Sequence, residues 1–121
     1  MKAKLPKPKE GTLTKPILDY LAMRGIMAWR NNSGARVFAY TSKRTGKTSN
    51  QFFRWGGLPG ASDIFAILGP TGRFLAIETK RAGEKPTDAQ EAFLQAVEAA
   101  GGLGIVAWTL DDVHEAIEGA K

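Results

Sequence analysis

Two short apolar segments, joined by four turn-forming residues, place the strongest constraint on how this chain of 121 residues can fold. Residues 62–68 and 73–80 are each short and mostly apolar, which is typical of β-strands. The four residues between them include two glycines and a proline, which favour tight turns. We therefore predict an antiparallel hairpin in which Leu68 lies opposite Arg73.

This register brings the two acidic residues of the hairpin together. Counting back from the turn places Asp63 opposite Glu78, on one face of the sheet, with Cβ atoms about 4.5–5.5 Å apart. Lys80 lies two positions after Glu78 and so points to the same side, about 7 Å along the strand. A divalent cation between two such carboxylates converts their repulsion into coordination. An ammonium group beside that metal can hold or activate a water, so the three residues outline a metal-dependent phosphodiesterase site.

A purely structural role for the acids is the competing interpretation. Asp63 can be a polar strand end, and Glu78 can be salt-bridged to a neighbouring cation. Three features together favour the functional interpretation: the aligned register, a lysine on the same face, and Gly60 with Ser62 just before the aspartate. Glu78 also follows an apolar run, where a buried strand would prefer another apolar residue.

Overall composition indicates one small globular domain with a basic surface. The chain is 43% hydrophobic and 24% charged, with no cysteine and no apolar run near the roughly 20 residues that span a bilayer. No signal peptide is visible, which favours a cytoplasmic location without a membrane partner. Lysine and arginine number 17 against 12 acidic residues, a balance that suits a polyanionic partner such as nucleic acid.

The first half of the chain is predicted to contain an arm, a helix, a strand and a long irregular segment. Residues 1–9 are rich in lysine and proline and are interpreted as a flexible basic arm. Apolar residues at helical spacing predict a helix that begins near Thr14, and residues 26–30 follow as a strand. Residues 31–60 carry many glycines, polar groups and cations. We interpret them as a long functional loop or an irregular hairpin, with a short strand at 37–40.

The second half is predicted to form a strand, a helix, a strand and a last helix. Thr87 is the expected N-cap of the first of these helices, with Gln90 at the capping-box position. Residues 104–108 are continuously apolar and predict a buried strand that runs parallel to its predecessor. Residues 110–118 are predicted to form a helix with Thr109 as its N-cap. The order α-β-β-β-α-β-α predicts an α/β fold: one domain over residues 10–121, with a small mixed sheet flanked by helices.

Several sequence blocks resemble a known nuclease family. Residues 60–64, followed fifteen positions after the aspartate by residues 78–80, look like the active-site signature of the PD-(D/E)XK nuclease superfamily. The helix start at 86–90, the glycine pair at 101–102 and the block at 29–34 make the likeness more specific. Over nearly its whole length the chain resembles the VRR-NUC family, particularly its short stand-alone phage-type members.

The resemblance implies a restriction-endonuclease-like fold and assigns roles to five residues. Asp63 and Glu78 match the metal-binding acids, and the backbone carbonyl of Thr79 completes the metal shell. Lys80 matches the lysine that positions or activates the attacking water. Gln90 matches a glutamine near the site, although a capping-box glutamine needs no catalytic role.

A further acid is implied on the first helix. Glu10 matches a residue that can join the metal site. Pro16 departs from that pattern, because a proline within a helix running from Glu10 removes a hydrogen bond, so we expect a kink or a late start. The implied cofactor is Mg²⁺, with Mn²⁺ as a substitute. The metal would polarise the scissile phosphate and lower the pKa of a bound water, while Lys80 stabilises charge or orients that water. The residues leave open one or two metals, and DNA or RNA.

Cations around the site suit a phosphate backbone. Aromatic residues alternate with these cations, and such a mixture can follow a phosphate backbone and stack on exposed bases at a junction or flap. The alternative is that the cations only form a solvated basic surface, and that the aromatic residues pack in the core or at a dimer contact. Residues 46–48 match the end of the P-loop motif, but the glycine that begins this motif is missing. We therefore expect no nucleotide cofactor. His114, the only histidine, is expected to be an isolated surface residue. The predicted DNA-binding cations are Arg30, Arg36, Lys43, Arg44, Lys47, Arg54 and Arg81.

The leading hypothesis is a Mg²⁺-dependent endonuclease that acts on branched or junction DNA. A chain of this size offers a small surface for such a substrate, and the resemblance implies a homodimer with two active sites. A phage-encoded protein would act in the host cytoplasm. The alternatives are a non-catalytic DNA-binding module that keeps the fold, and an accessory subunit whose partner supplies the DNA-binding surface.

Overall fold

The computed structural model describes residues 13–31, 34–55 and 58–120. Two sequence-based predictions, the basic arm at 1–9 and Glu10 as a metal ligand, lie outside these residues. The described residues form three helices and six strands. In chain order they are α1 (Thr14–Met23), β1 (Met27–Arg30), β2 (Gly34–Thr41), β3 (Thr48–Trp55), β4 (Ile64–Leu68), β5 (Arg73–Thr79), α2 (Asp88–Ala99), β6 (Leu103–Ala107) and α3 (Leu110–Gly119).

Four strands form a mixed sheet in the order β1-β4-β5-β6. β4 pairs antiparallel with both β1 and β5, while β5 and β6 run parallel and are joined through α2. The predicted hairpin register is confirmed, since Leu68 lies opposite Arg73 and the ladder runs back to Ile64 opposite Ile77. The mixed sheet and its flanking helices confirm the predicted α/β class.

One face of this sheet is covered by α1 and α3. Side chains of β4 and β5 alternate between the two faces, and the inward ones meet apolar residues of both helices. Full burial of each large aliphatic side chain stabilises the fold by roughly 1.5–3 kcal/mol. The core residues on this side are Ile17, Leu21, Ile64, Ala66, Leu68, Leu75, Ile77, Val113 and Ile117.

The opposite face is only half covered. α2 packs over β5 and β6, and its backbone comes close because a Cβ on Gly104 would lie 2.9 Å from the carbonyl oxygen of Leu94. α2 reaches β4 on this side through Phe93, whose ring centroid lies 5.9 Å from that of Phe65, but no described helix packs extensively over β1 there. Met27, Trp29 and Ile67 are consequently exposed there. The half-covered face therefore carries an apolar strip beside the acid pair.

The segment at 31–60 corrects the predicted element order. It was expected as a long loop or irregular hairpin with one short strand, but β2 and β3 are a regular antiparallel pair of eight residues each. They pair from Gly34 opposite Trp55 to Thr41 opposite Thr48. The hairpin alternative therefore holds, with the strand expected at 37–40 longer than predicted and β3 added, and the described order is α-β-β-β-β-β-α-β-α. Val37 and Phe52 are exposed, so no contrast between a buried and a solvated face marked these strands in the sequence.

Helix ends agree closely with the sequence-based expectations. α1 begins at Thr14, the late start that Pro16 required, and this proline sits in the tolerated first turn. Thr109 caps α3 in a complete capping box. None of the helices within the described residues is long and apolar enough to cross a membrane.

His114 is exposed, as expected, but it is not isolated. Its Nδ1 lies 2.6 Å from the hydroxyl of Tyr20, which links α3 to α1. The Arg24 guanidinium donates to that hydroxyl and, at 2.8 Å, to the Glu118 carboxylate. These two contacts raise the pKa of Arg24 above its ordinary value, with the hydroxyl contributing more. The cluster joins the two helices that cover the same sheet face.

Candidate metal-dependent active site

The two predicted acids lie at the same edge of the sheet. The β4–β5 ladder, extended by one step, places Asp63 opposite Glu78. Asp63 is half-buried, and Glu78 is only 3% exposed. The backbone N–H of Thr79 donates to Oδ2 of Asp63 at 2.9 Å, and the Thr79 hydroxyl donates to the same oxygen at 2.7 Å. Both donors use Oδ2, so the other oxygen of Asp63 keeps its lone pairs for a further partner.

Glu78 is held by the helix that follows its strand. The side-chain amide nitrogen of Gln90 donates to Oε1 of Glu78 at 3.0 Å. The amide oxygen of Gln90 accepts the backbone N–H of Thr87 at 2.8 Å, and the Thr87 hydroxyl accepts the N–H of Gln90. The predicted capping box is therefore confirmed. The same side chain also supplies the buried carboxylate with a donor, which buried polar groups require.

The loop before Asp63 rests directly on this helix start. Gly60 has φ +75°, and a Cβ there would lie 2.2 Å from the carbonyl oxygen of Ala89 and 2.6 Å from the nitrogen of Gln90. Only glycine permits this approach. Between loop and helix lies a pocket of about 360 Å³ that reaches the aspartate. Its lining residues are Asn31, Leu58, Pro59, Gly60, Ala61, Asp63 and Gln90.

Asn31 belongs to the site although sequence reasoning did not select it. It follows β1, and its backbone N–H donates to the carbonyl oxygen of Asp63 at 2.8 Å. Its side-chain amide donates to the carbonyl oxygen of Ser62 at 3.1 Å. Asn31 thus fixes the backbone that carries the acid. The available signal was its place in the 29–34 block, directly after a predicted strand.

Lys80 continues the line of β5 past its last residue. Its backbone N–H donates to the carbonyl oxygen of Ala107 at 3.0 Å, which keeps the chain paired with β6. The position two residues after Glu78 puts it on the same face, and its side chain is half-exposed. The ion pairs found among the described residues do not include it. No described carboxylate therefore forms an ion pair with its ammonium group.

The predicted DNA-binding cations separate into three groups. Lys43, Arg44 and Lys47 are exposed at the β2–β3 turn, and Arg30 is exposed at the end of β1. Arg81 instead forms an ion pair with a nearby carboxylate, that of Glu84. Two further cations lie on β2 and β3, with side chains outside the described part of the structure; these are Arg36 and Arg54.

Comparisons with known proteins leave the site to be interpreted from its own geometry. No protein-family model matches the chain, and no curated protein matches its sequence significantly. Within residues 13–31, 34–55 and 58–120, no group of three or more acidic or histidine side chains is arranged to hold a metal. The candidate ligands in that part of the chain are thus the Asp63 and Glu78 pair, supplemented by backbone and solvent oxygens.

Proposed function

We propose that this chain is a metal-dependent nuclease that hydrolyses phosphodiester bonds in DNA. The observation that carries the proposal is the placement of Asp63 opposite Glu78, each held by its own donor. Two aligned carboxylates repel each other unless a cation or a proton lies between them. A site that holds such a pair in place, beside the ammonium group of Lys80, has the parts of metal-assisted phosphodiester hydrolysis.

The residues present fit Mg²⁺ or Mn²⁺. Asp63, Glu78 and the carbonyl of Thr79 offer only hard oxygen donors, which Mg²⁺ prefers, and its remaining positions are normally filled by water and substrate phosphate. The hydrogen bonds from Thr79 fix one oxygen of Asp63 and leave the other for a cation. When bound, the metal supplies charge neutralisation of the phosphate and a water of lowered pKa.

The chain's own residues orient and stabilise the reacting groups. The ammonium of Lys80 donates to the attacking water or to a phosphate oxygen, where negative charge develops. Gln90 keeps Glu78 in one orientation through its hydrogen bond. Thr79 does the same for Asp63. These positioned donors cost no reorganisation during the reaction, which is the main advantage of a folded site over solvent.

Wider features of the proposal follow from the fold and the exposed surface. The proposal extends to a restriction-endonuclease-like fold of the VRR-NUC type, on the likeness of residues 60–64 and 78–80 and on a mixed sheet with acids at the ends of β4 and β5. The uncovered apolar strip of Met27, Trp29 and Ile67 supports a homodimer, because exposed patches of this kind mark interaction surfaces. Two sites in one dimer suit branched or junction DNA, cut in the cytoplasm of the cell or of a phage host.

Cleavage of a labelled panel tests the proposal. Single-stranded, duplex, flap and four-way-junction DNA, and one RNA strand, are incubated with Mg²⁺ or Mn²⁺. Wild type is expected to cut at least one DNA, whereas Lys80→Ala binds it without cutting. Lys15→Ala is the matched control, since this exposed lysine lies on α1, across the sheet from the site. Binding without cleavage by wild type would instead support a non-catalytic DNA-binding module. A stable complex with another protein, together with weak DNA affinity of the chain alone, would support an accessory subunit.

A further inference from the structure

A two-stranded ribbon stands apart from the packed body of the chain. β2 and β3 pair along their full length, and no helix or other strand among the described residues packs extensively against them. An isolated two-stranded hairpin is only marginally stable in water. Its exposed tip at residues 43–47 can contact a partner.

The charge of this ribbon selects a polyanion as that partner. Residues 34–55 contain five cations and no carboxylate. Three of the cations, Lys43, Arg44 and Lys47, are exposed at the tip and form no ion pair with any described residue. Nucleic acid, which carries one negative charge per phosphate, is attracted to such a ribbon.

The tip has a defined shape that displays these cations. The hydroxyl of Ser42 accepts the backbone N–H groups of Arg44 and Thr45. The N–H of Ser42 donates to the carbonyl oxygen of Lys47 at 2.9 Å, and Gly46 adopts φ +72° to close the turn. The cations thus project from a hydrogen-bonded turn, which reduces the conformational entropy lost on binding.

Both ends of the ribbon come from the rim of the acid site. β2 begins at Gly34, shortly after Asn31, whose N–H is bonded to the carbonyl oxygen of Asp63. β3 ends at Trp55, shortly before Leu58, which lines the pocket beside the same aspartate. A nucleic acid seated on the acid pair therefore lies at the base of the ribbon.

We propose that the β2–β3 ribbon lies in a groove of the duplex beside the scissile strand, with its tip cations on the phosphates. The major groove of DNA admits a two-stranded β-ribbon. Eight extended residues span about 27 Å, which corresponds to about eight base pairs at 3.4 Å each. The ribbon therefore needs a duplex arm of about this length next to the cut. This inference rests on the proposed nuclease function, because the acid pair defines where the cut falls.

The test combines Lys43→Ala, Arg44→Ala and Lys47→Ala in one variant. Binding to duplex DNA is measured in EDTA over a range of salt concentrations, and loss of three phosphate contacts is expected to reduce the slope of log K against log salt by about 2.7. Cleavage is measured on branched substrates with arms from about four to about sixteen base pairs. Wild type is expected to lose cleavage activity on arms shorter than about eight base pairs, whereas the variant should cleave substrates of all arm lengths equally weakly.

A charge-matched control isolates the ribbon from net charge. Lys15→Glu with Lys85→Ala also lowers the net charge by three, at positions outside residues 34–55, and is expected to keep the wild-type arm-length dependence. If wild type cuts but the tip variant keeps its salt slope and arm-length dependence, the ribbon proposal is overturned and the nuclease stands. If wild type cuts nothing yet the slope falls in the variant, the nuclease fails and the ribbon remains a DNA contact. If the tip variant has a different molar mass from wild type by light scattering but the same salt slope, the ribbon contacts protein, and the proposal is overturned.

Discussion

The side-chain amide of Gln90 donates to the buried carboxylate of Glu78 at 3.0 Å while its oxygen closes the capping box of α2. One side chain therefore serves both the helix end and the candidate site. The helix cannot begin elsewhere without moving the donor away from the acid. This coupling explains how a short chain can hold a buried carboxylate in one orientation.

Replacement of Gln90 separates these two roles. Gln90→Glu keeps an acceptor for the N–H of Thr87, because glutamate is also a capping-box residue, but it replaces the donor to Glu78 with a carboxylate that repels it. We expect cleavage to fall by about 10- to 100-fold, the usual effect of losing an outer partner of a metal ligand. Gln90→Ala removes both the capping-box acceptor and the donor to Glu78 without adding a charge, and its free energy of unfolding should fall below that of wild type.

The control for these variants lies on the same helix. Gln95 is exposed on α2, so Gln95→Ala and Gln95→Glu should leave cleavage and thermal unfolding unchanged. Full activity of Gln90→Glu would contradict a positioning role and reduce Gln90 to a helix cap.

The hydroxyl of Thr79 is the second positioning group to test. Thr79→Val preserves shape and the backbone N–H bond to Asp63 but deletes the hydroxyl donor. A hydrogen bond to a charged group contributes about 1.5–3 kcal/mol, so denaturant unfolding should show a loss of that order. Thr79→Ser restores the donor and should recover most of the loss in stability and in cleavage. A valine variant as active as wild type would show that the backbone N–H alone suffices.

Removal of one acid should have opposite effects with and without metal. Asp63→Asn and Glu78→Gln keep their acceptor oxygens while relieving the repulsion of the aligned pair. Without divalent ions, Glu78→Gln is expected to unfold at a temperature no lower than that of wild type, whereas Asp63→Asn also weakens the two hydrogen bonds from Thr79. Wild type should be stabilised by Mg²⁺ or Mn²⁺ through binding to the folded state, and the variants should lose this rise. The measurement is thermal unfolding with and without metal, and a rise retained in both variants would exclude the acid pair as the metal site.

Features of the fold and site that depend on neighbouring residues in the sequence were predictable, whereas contacts between distant elements were not. Asp63 opposite Glu78 was predictable because the number of residues in the turn fixes the strand register. The capping role of Gln90 was local too, but its bond to Glu78 depends on where α2 crosses the sheet. The contact of the Thr79 hydroxyl with Asp63 was equally invisible, since the resemblance assigned only its carbonyl. The length and regularity of the β2–β3 ribbon were not predictable because its described side chains at 37–41 and 48–52 are exposed, and a strand shows alternating hydrophobicity only where one face is buried.

Gly60 offers the sharpest test of how the site is built. A Cβ there would lie 2.2 Å from the carbonyl oxygen of Ala89, in addition to the cost of its φ of +75°. Gly72 shares that φ of +75° but has nothing within 4 Å of the same added atom, so Gly72→Ala measures the backbone cost alone. Such strain typically costs about 1–3 kcal/mol. We expect Gly60→Ala to be destabilised clearly beyond Gly72→Ala in denaturant unfolding. Gly60→Ala should also lose cleavage, because relief of the clash moves the loop before Asp63 away from Gln90. Equal stability of the two variants would mean that the loop relaxes freely, and the pocket would then not depend on this contact.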